Sequence, residues 1–533
     1  MHLTIMNVTA QLLACAACGA LAALPFRTLD SSLPLWLALA PAFWCAARAA
    51  TRRRAALCGF AFALSWTLSA FSFMWSCAFE GALAVSLYTA LIYTAAIAGI
   101  AALSRRGGAA AVFGAAALWT LVEIARSTVP ILYFPWLLLG HASLYCENLR
   151  QAADIFGVYG LSFLIAACNA WLAFGLPAWL PEHFRAPQTM NRKTSWRCAS
   201  LLCALVLGTW AYGVERIERL KPRLKSGATI GVIQGNVSTK LGRSLKDLDD
   251  QTARHLELHR RVIREIRDSE GAPPALVCWA ETMVPGDMYE QRWGAAFRKQ
   301  IALSGVPTLA GSNAGEPGND KREPEDELTH NAAFLFDASG REIMRYYKRR
   351  LVAFGEYIPG SRRFSALKML RSVTRDDYIP GVARSPVQAV GGYNIALDLC
   401  IEDAHPALAR EAAFDGADTL INLTNDGWFY GTFGPRAHLQ TAAWRAIETR
   451  RPLLRVTNTG CTAAVDPLGN ISLVVPLEQE ATGAVKLQRI DGGGSLIVTP
   501  YMRLGEFWSA VFFALLLLAS LALTHKAAKL SAT

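Results

Sequence analysis

The feature that most constrains this chain is a series of apolar runs long enough to cross a bilayer. They are concentrated before residue 215 and return once near the end. A helix needs about 20 apolar residues to span the hydrocarbon core. Candidate spans are 8–25, 33–47, 55–77, 82–103, 107–122, 155–178, 198–214 and 507–524. The first two are short enough to be tilted or partly re-entrant. If they form a hairpin that fails to cross, the parity of every later connection is unchanged. Leu12-Leu13-Ala14-Cys15 resembles a lipoprotein cleavage box, but no basic residue precedes it, so the first span is expected to stay uncleaved. Residues 220–500 have instead the patterning of a globular α/β domain. The expected organisation is a membrane domain over 1–219 with about seven transmembrane helices, a globular domain over 220–500, and a C-terminal transmembrane helix with a cytoplasmic tail over 501–533.

The net charge of +11, from 53 basic and 42 acidic residues, is read as a topology signal and not as a nucleic-acid signal. Arg48 and Arg52–Arg54 follow the second span, Arg105 and Arg106 the fourth, and Arg185, Arg192, Lys193 and Arg197 the sixth; Lys526 and Lys529 lie past the eighth. The alternate connections carry only Arg27, Arg126 and Arg150. Because basic loops stay in the cytoplasm, both chain ends are expected inside. The globular domain, between the seventh and eighth spans, is then expected outside the cytoplasmic membrane. Of the 12 cysteines, only Cys278, Cys400 and Cys461 fall in the globular part. That odd number without metal spacing predicts at least one free thiol.

The stretch Val129–Ala142 is apolar but short, with Phe134-Pro135-Trp136 and Gly140 inside it. Broken backbone at membrane depth is tolerated where protein covers it. Glu123 and Arg126, three residues apart on one helix face, are expected to form either an interfacial ion pair or a lipid-headgroup contact.

From residue 228 onward strand and helix signals alternate. Strands are expected at Ala228–Asn236, Pro274–Glu281, Val306–Ser312, Asn331–Asp337, Glu342–Tyr347, Tyr393–Cys400, Thr419–Thr424, Leu453–Asn458 and Thr462–Val465, the last closing the set. Helices are expected at Lys246–Asp268, Tyr289–Ser304, His405–Gly416 and Pro435–Arg450. This pattern predicts two sheets with outer helices. Two polar or basic insertions interrupt it, Ala314–Thr329 and Tyr357–Pro380; the second, with Phe364, Leu367, Met369 and Leu370 among Arg362, Arg363, Lys368 and Arg371, suits a mobile arm on an anionic membrane surface.

Three strand ends carry reactive groups: Glu281 after Val277-Cys278-Trp279-Ala280, Lys348 after Tyr346-Tyr347, and Cys400 after Ile395–Leu399. A thiol with an ordinary pKa near 8.5 is mostly protonated at neutral pH, so it needs a base, and Glu281 fits that role. The thiolate would attack an acyl carbonyl. Lys348 and the backbone N–H of Ile401 would face the developing oxyanion, and the helix expected at His405 would add partial positive charge. Glu356, eight residues past Lys348, would orient the lysine or the thiol.

These segments resemble the nitrilase superfamily, and the chain as a whole resembles the apolipoprotein N-acyltransferase family. Gln234-Gly235-Asn236 is similar to that family's first strand, and Lys348 to Glu356, followed by Pro359, to its lysine segment. Asn425-Asp426-Gly427-Trp428-Phe429 and Arg445–Pro452 are similar to its NDxWF and RAxExxRP segments. Phe134-Pro135-Trp136 and Gly157–Phe163 are similar to signatures of its membrane part. The chain departs from the family at Ile401, where an aromatic residue is common, and at Leu241, where a tryptophan usually follows the lysine at Lys240. The resemblance implies a multi-span membrane bundle plus an extracytoplasmic nitrilase-like α-β-β-α sandwich. It implies catalytic Glu281, Lys348 and Cys400, with Glu356, Ile401 and Glu402 supporting. It also implies a phospholipid acyl donor, a Cys400 thioester, and transfer to the N-terminal amine of a diacylglyceryl-cysteine apolipoprotein.

No cofactor or metal motif is present: there is no phosphate-binding glycine loop, no GxSxG elbow and no repeat. His255 and His259 have zinc-like spacing but no third ligand, and they are expected on a solvated helix face. The alternatives are a membrane-anchored nitrilase-type amidase, against which the many spans argue, and a non-catalytic membrane scaffold or transporter.

Overall fold

The computed structural model describes residues 8–27, 31–77, 79–105, 107–130, 133–181, 190–238, 244–315, 329–358, 378–492 and 496–530, with side chains to 523. Arg106, Arg185, Lys240, Leu241, Pro359, the side chains of Lys526 and Lys529, and most of both insertions, including the proposed arm, fall outside the described residues. The chain divides into two compact units, Met1–Arg219 with Thr499–Thr533, and Leu220–Val498.

Among the described residues six helices are long and apolar enough to cross a membrane: Val8–Arg27, Phe79–Ser104, Gly108–Thr128, Tyr159–Trp179, Arg192–Arg223 and Pro500–Leu523. The second expected span is broken into Leu35–Ala38 and Ala40–Arg48. Pro41 cannot donate a backbone N–H, and the buried break is closed by Asn169 from another helix. Its Oδ1 accepts from the N–H groups of Leu39 (3.0 Å) and Ala40 (2.9 Å), and its Nδ2 donates to the Leu35 carbonyl (2.7 Å). The third, Arg52–Ala70, begins on three arginines, capped by Thr51, and ends short of the expected residue 77.

The stretch after Thr128 leaves the helix and turns through Leu137 (φ +57°) before a 3-10 helix at Leu139–Tyr145. Neither expected role of Glu123 and Arg126 describes what they do. Both are fully buried, and they satisfy this broken backbone. Arg126 donates to the carbonyls of Phe134 (3.0 Å) and Trp136 (3.1 Å) and to the Tyr93 hydroxyl (2.6 Å). Glu123 accepts from Leu139 N–H and Trp119 Nε1, both at 2.9 Å. Without water at that depth, every unpaired backbone group would cost several kcal/mol, which gives the two charges their place.

The second unit is a two-sheet sandwich. Its strands are β1 (Leu224–Gln234), β2 (Leu276–Trp279), β3 (Thr308–Gly315), β4 (Thr329–Phe336), β5 (Glu342–Tyr347), β6 (Gln388–Val390), β7 (Tyr393–Leu399), β8 (Thr419–Thr424), β9 (Leu453–Thr457), β10 (Thr462–Val465), β11 (Ile471–Val475) and β12 (Ala481–Ile490). One sheet runs β12-β1-β2-β3-β4-β5 and the other β11-β10-β9-β8-β7-β6. β1, β2 and β3 are parallel, as are β7, β8 and β9, with antiparallel strands at the flanks. The parallel strands are largely buried, and residues from both sheets, such as Val232, Trp279, Leu397 and Val456, share one core. The expected α-β-β-α sandwich is present. The set of strands does not close at Val465, however: β11 and β12 follow, and β12 pairs with β1 along the sheet edge. Its half-exposed, polar-rich pattern hides it from a search for apolar runs.

Helix Leu245–Glu270 starts on a capping box between Ser244 and Asp247 and stops at Gly271 (φ +74°). His255 and His259 lie on its buried side, not on a solvated face. His259 accepts from Trp279 Nε1 at 3.4 Å and meets Ser304 Oγ at 3.2 Å, and burial lowers its pKa to about 4, so the ring is neutral. The helix expected over Pro435–Arg450 is two, Gly434–Ala442 and Trp444–Thr449.

Candidate active site

In sheets with parallel strands, functional side chains gather where the chain leaves the carboxyl ends. Glu281 stands two residues past β2, Lys348 is the residue after β5, and Cys400 is the residue after β7. Backbone strain marks these exits. Thr282 (φ +54°), Phe354 (+62°) and Cys400 (+52°) are non-glycine residues in the left-handed region, at a cost of about 1–3 kcal/mol each. Beside Glu281, β3 must pass so closely that a Cβ on Gly311 would lie 2.5 Å from Thr282 N and 2.6 Å from Glu281 Cα.

The structure brings Glu281, Lys348 and Glu356 into direct contact. Lys348 Nζ donates to Glu281 Oε1 (3.0 Å) and Glu356 Oε1 (2.8 Å). Asn331 Nδ2 donates to the same two oxygens, at 2.7 and 3.0 Å. The second oxygen of Glu281 accepts from Asn425 N–H (2.8 Å), and that of Glu356 from Val352 N–H (2.8 Å). Burial works against the Lys348 charge, but Glu281 and Glu356 outweigh it and hold its pKa well above the ordinary value. Lys348 is therefore a fixed cation.

Cys400 is partly buried and within electrostatic reach of all three. Burial pushes its thiol well up, the Glu281 carboxylate adds to this, and the Lys348 ammonium opposes it. The resting group is a neutral thiol, so a base is needed to take its proton. Cys400 opens a 3-10 turn, Cys400–Ala404, while the α-helix begins only at Pro406. The helix-start charge expected beside the sulfur is thus displaced along the chain. Ile401 follows Cys400 in the turn and is partly exposed.

Glu402 is buried and ties the lysine segment to the cysteine turn. It accepts from the N–H groups of Arg349 (2.7 Å), Arg350 (2.9 Å) and Leu399 (2.9 Å) and from the Tyr346 hydroxyl (2.9 Å). Burial raises its pKa to about 7, against the pull of those N–H donors and of Lys348.

Sequence reasoning missed Asn331, Tyr346, Asn422 and Arg455, and gave no role to Asn425, Asp426, Asp403 or His438. Asn422 Nδ2 donates to the Cys400 carbonyl at 2.9 Å. A signal existed for Asn422 and Arg455: each is a polar residue inside a strand whose every position is buried.

Comparison with known proteins agrees along both units. Residues 18–171 match the model for the apolipoprotein N-acyltransferase N-terminal domain, and 230–493 that for carbon-nitrogen hydrolase. The apolipoprotein N-acyltransferase of Nitrosomonas europaea is 30% identical over 76% of this chain and 73% of its own. That of Azotobacter vinelandii is 31% identical over 76% and 71%. This chain belongs to the apolipoprotein N-acyltransferase family. A further relative of that name, from Geobacter metallireducens, is 29% identical over 88% of both chains. Family membership makes the chain an acyltransferase of the inner membrane, and the amidase alternative has no better support. The carbon-nitrogen hydrolase from Helicobacter pylori G27 aligns with 49% of this chain at 15% identity and a TM-score of 0.36, too low to carry an argument.

Proposed function

We propose that Cys400 takes an acyl chain from a membrane phospholipid as a thioester and passes it to the N-terminal amine of a diacylglyceryl-cysteine apolipoprotein. Glu281 accepts the Sγ proton as the sulfur attacks the ester carbonyl. The oxyanion forms against Lys348 Nζ and the N–H of Ile401. Collapse expels the alkoxide of the lysophospholipid, which takes the proton from Glu281. The acceptor amine then attacks the thioester, Glu281 takes its proton, and the sulfur leaves and is reprotonated. Glu356 holds Lys348, and Glu402 holds the turn that presents Cys400 and Ile401.

The observation that carries this reading is the Lys348 ammonium, fixed between Glu281 and Glu356 within electrostatic reach of the Cys400 thiol. The basic connections support a periplasmic position for a catalytic domain over 220–500, with 1–219 and 501–533 as the membrane parts. Intact mass of the purified enzyme after exposure to phospholipid tests the reading. Wild type should gain one acyl mass, lost on addition of a diacylglyceryl lipopeptide, and Cys400→Ala should gain none. Transfer retained by Cys400→Ala refutes it, and release of free fatty acid without lipopeptide acylation would favour a hydrolase.

A further inference from the structure

Beneath the cysteine turn lies a buried cluster of ionisable side chains that the reaction above does not use: Asp403, Asp426, His438 and Arg455, all fully or almost fully buried. Arg455 is its centre, in the middle of β9. Through Nη1 it pairs with Asp403, three residues past Cys400, and donates to Asn422 Oδ1 at 3.2 Å. Asn422 in turn holds the Cys400 carbonyl. Through Nη2 it donates to Asp426 Oδ2 at 3.0 Å. Asp426 adjoins Asn425, whose N–H fixes Glu281. His438 spans the two aspartates, with Nδ1 2.9 Å from Asp426 and Nε2 3.0 Å from Asp403.

We propose that Arg455 is a positioning residue for the reaction at Cys400: its guanidinium locks the nucleophile's turn to the turn that holds Glu281, and it neutralises Asp426, whose charge would otherwise oppose the thiolate. This rests on the reading of Cys400 as nucleophile. A buried ion cluster is a poor way to gain stability, since apolar packing serves as well. A planar fork, however, fixes direction between the groups it joins. Here those groups are the strained turn at Cys400 and the loop that orients the base.

The charges are arranged so that the cation is needed. Cys400 faces Glu281, Lys348, Asp426 and Glu356, and Lys348 is already matched by two carboxylates. Arg455 faces Asp403, Asp426 and Cys400, and acts also on Asp398, His438 and Cys461. Removing it leaves Asp426, which acts on the sulfur, and Asp403 with His438 alone between them. Formation of a further negative charge there becomes harder.

The test uses the full-length enzyme in detergent and compares wild type, Cys400→Ala, Arg455→Gln, Arg455→Lys and Asn422→Ala. Three quantities are read: thermal unfolding, the pH midpoint of iodoacetamide alkylation at the Cys400 peptide, and the rate of acyl adduct formation with phosphatidylethanolamine in mixed micelles. Arg455→Gln should raise the alkylation midpoint by about half a pH unit or more and slow adduct formation about tenfold or more. Arg455→Lys should restore the midpoint but not the rate, because lysine supplies the charge without the fork. Asn422→Ala should slow the adduct while the midpoint stays, and it decides the positioning role if Arg455→Gln does not fold. An unchanged midpoint in Arg455→Gln, equal shifts in the Lys and Gln variants, or a wild-type adduct rate in Asn422→Ala overturns the proposal. Absence of any Cys400 adduct in wild type overturns the nucleophile reading as well, which separates the two failures.

Discussion

Lys348 and Asn331 share the same two acceptors: the ammonium of one and the amide of the other each donate to Oε1 of Glu281 and Oε1 of Glu356. Two carboxylates this close repel each other unless cations or donors lie between them. The pair of donors closes that gap from two sides. Lys348 supplies charge, and Asn331, in the ladder of β4, supplies a fixed direction. The proposed base is thereby held through one oxygen by a strand, and through the other by the loop at Asn425.

Replacing Asn331 with leucine keeps the volume and removes the shared donor. Each glutamate then lacks one partner, at a cost of about 1–3 kcal/mol in stability. Misplacement of the base should lower the acylation rate by about 10- to 100-fold. Thermal unfolding and single-turnover adduct formation measure the two effects; an unchanged rate would remove Asn331 from the proposed machinery.

Lys348→Met should abolish adduct formation and destabilise the second unit by about 3–5 kcal/mol, because it leaves uncompensated buried carboxylates. Chemical unfolding and single-turnover adduct formation measure the two effects; wild-type stability or a retained adduct would count against Lys348 as the cation that pairs the two carboxylates.

Glu402 makes stability depend on pH in its own way. It is an acid whose folded pKa, about 7, lies above the unfolded value of 4.5. Between these values the folded state binds more protons than the unfolded one, so stability falls as pH rises from about 4.5 to 7. The loss approaches about 3 kcal/mol from a shift of this size. Glu402→Gln cannot titrate, and its unfolding curve should be flatter across that window. Parallel curves for the two proteins would count against a raised Glu402.

Gly311→Ala places a methyl group against the backbone of Glu281 and Thr282, where contacts of 2.6 Å to Glu281 Cα and 2.5 Å to Thr282 N leave no room. The strain should cost about 1–3 kcal/mol and move Glu281 off Lys348. Acylation should fall more than stability alone explains, which a rate measured well below the unfolding temperature would show.

In the membrane unit, Arg126→Met strips partners from the carbonyls of Phe134 and Trp136 and from Tyr93. Buried acceptors left unpaired cost about 1–3 kcal/mol each. Thermal aggregation of the detergent-solubilised protein should begin at a clearly lower temperature than in wild type. A wild-type onset would mean that the segment after Thr128 holds itself.

Local pattern determined a good deal. Uninterrupted apolar runs mark membrane helices because length and hydropathy are properties of a continuous segment, and Val8–Arg27 and Gly108–Thr128 are legible in that way. The same holds for β2, β5 and β7, whose strand patterns end next to Glu281, Lys348 and Cys400. What the tertiary structure alone decided is which distant groups meet. Arg455 reaches Asp403, 52 residues away, and Glu281 reaches Asn425, 144 residues away. No periodicity records such pairs, because they depend on strand order within two sheets. Burial likewise overturned the solvated reading of His255 and His259, and it gave Glu123 and Arg126 a broken backbone to satisfy. A side chain's polarity is written in the sequence. Whether it meets water, a carbonyl or an opposite charge is settled only when the segments pack and desolvation forces each polar group to find a partner.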